Sequence, residues 1–169
     1  MSRCCDSLSV RPAQAHDWER VSAVLVEWWG GRDLADLLPR LFFQHFSSTS
    51  FVAETGDEMV GFLVGFPCPT HAGEAYIHLV GVHPEWRRSG LARDLYERFL
   101  GVARKRECTV ARAITSPVNQ GSVAFHKALG FTIEPGDGEI DGLPVSLDYD
   151  GPGEHRVRFV LPLDGEQTP

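Results

Sequence analysis

Arg87, Arg88 and Arg93 fall close together in the chain, with Ser89 and Gly90 between them. Guanidinium groups beside open backbone N–H groups hold phosphate or pyrophosphate. The stretch lies just ahead of a helical pattern, where the first N–H groups have no partner in the helix and the dipole adds positive potential. A glycine there lets a ligand approach the backbone. On its own, "RRSG" reads first as a solvated turn that opens a helix. It is neither the GxxxxGK[ST] loop nor the GxGxxG turn of other phosphate binders. Upstream, "EAYIHLVGV" places Glu74, Tyr76, His78, Val80 and Val82 at alternate positions, on one face of a strand by period two. Glu74 and His78 do not make a metal pair, because that spacing on a strand separates them by roughly 13 Å.

The elements that must position these groups follow from periodicity. "LSVRPAQ" predicts a first strand. Asp17 is placed to cap a helix from Trp18 to Trp29, with Val21, Val24, Leu25 and Trp28 on its apolar face. "GGRD" ends it, and "LADLLPRLFFQHF" predicts a second helical segment interrupted at Pro39. "SFVAETGDEMVGFLVGFP" predicts two strands joined at "TGDE". A strand then runs to Pro84, and "SGLARDLYERFLGVARKR" predicts an amphipathic helix with Leu91, Leu95, Phe99 and Val102 on one stripe, widened by Ala92, Tyr96 and Ala103. "CTVARAIT" predicts a strand. "GSVAFHKALGF" predicts a short helix with Gly130 at its C-terminal cap and Phe125, Ala128 and Leu129 toward the core. A stretch rich in Gly, Pro and Asp reads as a loop or long hairpin before a last strand, "RVRFVLPL". The strand–helix–strand unit from 74 to 115 calls for a parallel pair within a largely antiparallel sheet, a mixed α/β fold.

The 169 residues suit one domain, 1–169, and the 43% hydrophobic and 10% aromatic content is that of a globular protein. A net charge of -7 weighs against nucleic acid or an anionic membrane surface as partner. Cys4, Cys5, Cys68 and Cys108 form no metal-spaced pair and read as reduced thiols. The start "MSRCCDSLSVRP" has no apolar core of a leader, and no run approaches the roughly 20 apolar residues of a spanning helix, so the expectation is a soluble cytoplasmic protein. No metal is expected.

Arg87-x-x-Gly90-x-Ala92, between a strand and a long helix, resembles the acetyl-CoA motif Q/R-x-x-G-x-G/A of the GNAT (GCN5-related) N-acetyltransferases. Downstream, "NQGSVAFHKALGF", from Asn119 to Phe131, resembles that family's second cofactor segment. The two segments cover 76 to 131, and the element order extends the resemblance over nearly the whole chain. The resemblance implies a GNAT acyltransferase fold, with flanking helices and a mostly antiparallel central sheet in which one parallel strand pair splays apart. It also implies acetyl-CoA as co-substrate and direct transfer of acetyl to a primary amine in a ternary complex, with no nucleophilic residue and no metal.

By the same resemblance, Val80 and Val82 pair with the pantetheine arm. The N–H groups of Arg88, Ser89, Gly90, Leu91 and Ala92, with the charges of Arg87, Arg88 and Arg93, cup the pyrophosphate. Asn119, Ser122, Phe125 and His126 contact the cofactor. His126 stands where many members carry the Tyr that protonates the leaving thiolate. A His has its ordinary pKa near 6.5 and can donate a proton, but a thiolate needs little help. Glu74 and His78 are candidate bases, and Tyr76 a candidate to orient the amine. Packing against the first two helices is the simpler reading of Tyr76 and His78 taken singly. The acceptor stays open between small molecules (polyamines, amino acids, aminoglycoside-like compounds) and peptide or protein N-termini. Sheet edges in such folds often pair, which allows a homodimer. A non-catalytic acyl-CoA-binding module of the same fold is the alternative, and a different nucleotide-phosphate binder a third reading.

Overall fold

The computed structural model describes residues 7–31 and 35–164. Cys4 and Cys5 lie outside these residues, as do Arg32 and Asp33 of the expected helix break. The chain divides into two compact units: Met1–Pro67 with Ile77–Arg106, and Cys68–Tyr76 with Glu107–Pro169.

In the first unit lie β1 (Leu8–Pro12), α1 (Asp17–Trp28), α2 (Leu41–His45), β2 (Phe51–Thr55), β3 (Glu58–Pro67), most of β4 (Glu74–Val82) and α3 (Leu91–Lys105). The strand order there is β1-β2-β3-β4. β1 runs antiparallel to β2, and β2 to β3 through a hairpin whose Thr55–Glu58 pairing leaves Gly56 and Asp57 as its turn. Residues 59–65 of β3 are all buried, so both of its faces are covered. Gly61 and Gly65 let α3 sit directly on it: a Cβ at Gly65 would stand 2.4 Å from the Phe99 ring. Leu91, Leu95 and Phe99 carry the expected stripe of α3. It continues through Leu100 and Ala103 rather than Val102, which is only half-buried. Toward α1 and α2, Phe62 stacks on Trp28 at 6.1 Å and Phe66 on Phe42 at 6.1 Å.

Asp17 is not the N-cap of α1 but its first residue, and it is 0% exposed. Its carboxylate accepts from Arg11 at 2.7 and 2.8 Å and from the Gln14 N–H at 2.8 Å. Burial pushes this carboxyl up, and those hydrogen bonds overcome the push, so it is held below the ordinary range. Arg11 and Arg20 also bind Glu54, whose carboxyl is lowered chiefly by the bond from Arg11. This network ties β1, α1 and β2 together.

The second unit holds the start of β4, then β5 (Val110–Thr115), α4 (Gln120–Ala128), β6 (Thr132–Ile133), a hairpin of β7 (Gly138–Ile140) and β8 (Leu143–Val145), and β9 (Val157–Pro162). The order is β4-β5-β9-β6, with β4 and β5 the parallel pair and β9 antiparallel to both β5 and β6. The Gly/Pro/Asp-rich stretch is an ordered excursion: Asp141 and Gly142, at φ 51° and 77°, make the turn between β7 and β8. On one face of this sheet Ala111, Ala113, Val157 and Phe159 are buried. Arg112, Ile114, Arg158 and Val160 alternate with them and belong to the other face, Ile114 pairing with Arg158 and Arg112 with Val160.

α4 buries Val123 and His126. Phe125 and Leu129 are half-buried and Ala128 is exposed, so its inner face is rotated from the one its apolar residues predict. The rotation follows from what His126 finds: its ring stacks on Phe159 at 4.3 Å with 6° between planes. Gly130, at φ 92°, ends α4 as expected, with the Phe131 N–H on the His126 carbonyl and the Gly130 N–H on that of Lys127, both at 3.0 Å.

Candidate active site

The basic turn lies wholly in the first unit. His83 precedes a short 3₁₀ turn, Pro84–Trp86, and its Nδ1 accepts from the Glu85 N–H at 3.2 Å. The chain then reverses through two left-handed residues, Arg88 at φ 63° and Gly90 at φ 94°. A side chain at Gly90 would meet nothing within 4 Å, so its backbone stands open. Left-handed geometry at Arg88 costs about 1–2 kcal/mol, the kind of strain kept where backbone groups must be aimed. Ser89 Oγ donates to the Trp86 carbonyl at 2.6 Å and accepts from the Leu91 N–H at 3.3 Å, which braces the turn. The first intrahelical bond of α3 runs from the Asp94 N–H to the Gly90 carbonyl at 3.1 Å, so the N–H groups of 91–93 precede the ladder.

The expected anion ligands divide by side chain. Arg88, Ser89 and Gly90 are exposed, whereas the Leu91 side chain is core and its N–H is shared with Ser89 Oγ. Arg87 donates to the carbonyl of Trp28 at the end of α1, a cation on the negative end of that helix. Its guanidinium therefore fixes the turn to α1.

β4 departs from strict period two. His78 stacks on Phe42 at 4.4 Å and donates from Nε2 to the Leu37 carbonyl at 2.5 Å. A Cβ at Gly81 would stand 2.4 Å from Phe62 and 2.5 Å from Trp29. Both positions thus face the α1–α2 layer although an odd spacing separates them, so β4 bulges within 78–81. The five alternate positions from Glu74 to Val82 do not share one face.

In the second unit, Asn119 is the N-cap of α4, its Oδ1 accepting from the Ser122 N–H at 3.1 Å. His126 is 3% exposed and donates from Nδ1 to the Ser122 carbonyl at 2.8 Å. Burial lowers its pKa, so at neutral pH the ring is uncharged and Nε2 is an acceptor. Phe125 and Phe131 meet the ring edge-on at 5.7 and 5.3 Å.

A pocket of about 410 Å³ opens in the second unit, over the polar face of its sheet. Glu74 and Tyr76 line it, together with four residues that periodicity did not single out: Arg112, Glu134, Tyr149 and Arg158. Arg112 donates to Glu74 at 3.1 Å and to Glu134 at 2.5 Å, and these bonds raise its own pKa. Burial pushes the Tyr76 phenol up, and Tyr149 and Asp150 add to the shift, so it keeps its proton. Among the described residues no group of three or more His, Cys, Asp or Glu is placed to hold a metal ion. None of their helices is long and apolar enough to cross a membrane.

A model of the acetyltransferase (GNAT) family matches residues 13–131. The chain belongs to this family. It is 32% identical over 123 residues to the L-2,4-diaminobutyric acid acetyltransferase of Vibrio cholerae, covering 70% of this chain and 69% of that protein. To the enzyme of the same name from Shouchella clausii it is 30% identical over 86 residues, 51% of this chain and 48% of that protein. The chain thus spans about half the length of the Shouchella relative. The GNAT fold is shared with a GNAT-family acetyltransferase of Desulfovibrio desulfuricans, at TM-score 0.76 and 22% identity, covering 93% of this chain and 99% of that one. It is shared as well with the diaminobutyrate acetyltransferase of Paenibacillus lautus, whose structure holds L-2,4-diaminobutyric acid and coenzyme A. That likeness has TM-score 0.70 and 20% identity over 96% of this chain and 99% of the other.

Proposed function

We propose that this GNAT protein moves an acetyl group from acetyl-CoA to the primary amine of a small molecule. One observation carries the reading: Arg88 and Gly90, both left-handed, present open backbone just ahead of the N–H groups of α3. Such a site suits pyrophosphate. The backbone of 88–92 would hold it, with Arg88 and Arg93 adding charge. The bulged end of β4, at Val80 and Val82, offers backbone partners for the pantetheine amides, as an added strand does. Asn119, Ser122 and Phe125 would meet the cofactor at the start of α4, with His126 beneath them.

The amine nitrogen attacks the thioester carbonyl, the C–S bond breaks, and CoA leaves as a thiolate while the nitrogen loses a proton. Positioning supplies most of the acceleration. A neutral His126 with Nδ1–H given to Ser122 has no proton to hand over, and a thiolate with pKa of roughly 8.5 departs without one. Tyr76 keeps its proton and orients the amine. Glu74, shared with Arg112, and His78, through Nδ1, are the proton acceptors to compare. Glu74→Gln and His78→Gln separate them: the true base loses at least about tenfold in kcat with acetyl-CoA affinity kept, and the other does not. With Cys68 a free thiol, the cytoplasm is the proposed location.

The test is release of CoA thiol from acetyl-CoA against a panel of amines headed by 2,4-diaminobutyrate, with the acetylated product weighed by mass spectrometry. The buried, neutral His126 in the place of the usual Tyr favours one second reading, an acyl-CoA-binding module without transfer. Tight acetyl-CoA binding with no thiol release from any amine would select it.

A further inference from the structure

Among the described residues, the half-buried arginines other than Arg158 are matched with carboxylates. Arg11 has Asp17 and Glu54, Arg112 has Glu74 and Glu134, and Arg156 has Asp150 and Glu154. Arg158 has no carboxylate within ion-pair distance among the described residues. Its Nε is buried without a hydrogen-bond partner, and Nη2 reaches only the Pro135 carbonyl, at 3.5 Å. The guanidinium carbon stands 5.8 Å from the centre of the Tyr149 ring. The nearby carboxylate of Asp137 feels this charge weakly but is held by the Leu147 N–H at 2.8 Å. A guanidinium with one N–H already stripped of water gains most from a counter-ion on the rest of the group.

That group lines the pocket that Glu74 and Tyr76 also line. In the pocket, Glu74 and Glu134 balance Arg112 and Arg158, but the two carboxylates are both committed to Arg112, which leaves Arg158 as the charge still to be matched. We propose that this pocket is the acceptor subsite, that the acceptor carries a carboxylate as well as its amine, and that Arg158 holds the carboxylate. The carboxylate then fixes one end of a small zwitterion while its amine lies toward Glu74 and Tyr76. The inference rests on the acetyl-transfer reading above. It adds the class of acceptor, a small amino acid, and the residue that selects it.

Two matched pairs test it without any variant: 2,4-diaminobutyrate against 1,3-diaminopropane, and ornithine against 1,4-diaminobutane, each pair differing by the carboxylate alone. The wild-type protein is expected to favour the amino acid of at least one pair by about tenfold or more in kcat/KM. In Arg158→Gln that preference shrinks by about tenfold, through KM of the amino acid, and Arg158→Lys falls between, because a point charge replaces the fork. Acetylation of both members at equal rates, or an unchanged preference in Arg158→Gln, would overturn the inference and leave acetyl transfer standing. No thiol release from any amine would overturn both.

Discussion

His126 is a titratable ring held uncharged by its surroundings, and that has a measurable consequence. Its folded pKa lies below the ordinary 6.5, so the unfolded chain binds the proton first as pH falls. The contribution of His126 to stability is full above about pH 6.5 and is lost progressively below it, down to the folded pKa. Urea unfolding at pH 7.5 and 5.5 should show this loss, and His126→Phe, which keeps the stack on Phe159, should flatten it. A slope unchanged by the variant would assign the loss elsewhere. Asp17 and Glu54 act in a separate window: their folded pKa values are depressed, so their stabilisation is present above about pH 4 and disappears as pH falls through those lower values. Asp17→Asn, which leaves Arg11 and the Gln14 N–H short of a charged partner, is expected to cost about 3 kcal/mol by denaturant titration.

At the scale of elements, two glycines separate binding from folding. Gly90→Ala forces a side chain into left-handed geometry at a position open to its surroundings. We expect a stability loss of about 1 kcal/mol and a clear weakening of acetyl-CoA binding by calorimetry. Gly65→Ala drives a Cβ into Phe99 and should cost about 1–3 kcal/mol while leaving cofactor affinity in the folded protein unchanged. The opposite pattern would move the cofactor away from the turn. These elements were legible in the sequence because their signals are local: Gly56 and Asp57 in a hairpin, Gly130 past a helix end, Pro84 after a strand. The bulge of β4 was not, because period two is assumed until something outside the strand breaks it. Here Phe42 and the Leu37 carbonyl hold His78. The inner face of α4 escapes periodicity for a related reason: histidine counts as polar until an aromatic partner such as Phe159 takes its ring.

At the scale of the molecule, the sequence signals the acyl donor far more clearly than the acceptor. The donor motifs are short and contiguous, and the family match over residues 13–131 spans both. The proposed acceptor pocket is assembled from ion pairs 22 and 38 residues apart in the chain, between Arg112 and Glu134 or Glu74. Arg112 and Arg158 read in sequence only as polar positions of alternating strands. Knowing that β5 lies between β4 and β9 is what turns them into one site. Acetyl-CoA binding to the native state alone should raise the unfolding temperature, by mass action worth about 2.7 kcal/mol at a hundredfold excess over Kd.

The most direct test of the account is acetyl-CoA turnover itself. The purified protein, acetyl-CoA and 2,4-diaminobutyrate are followed by thiol release and by the mass of the amine product. Acetyl transfer frees one thiol for each acetyl group gained by the amine, and none when the amine is omitted. Binding of acetyl-CoA with no acetylated product from any amine of the panel would contradict it.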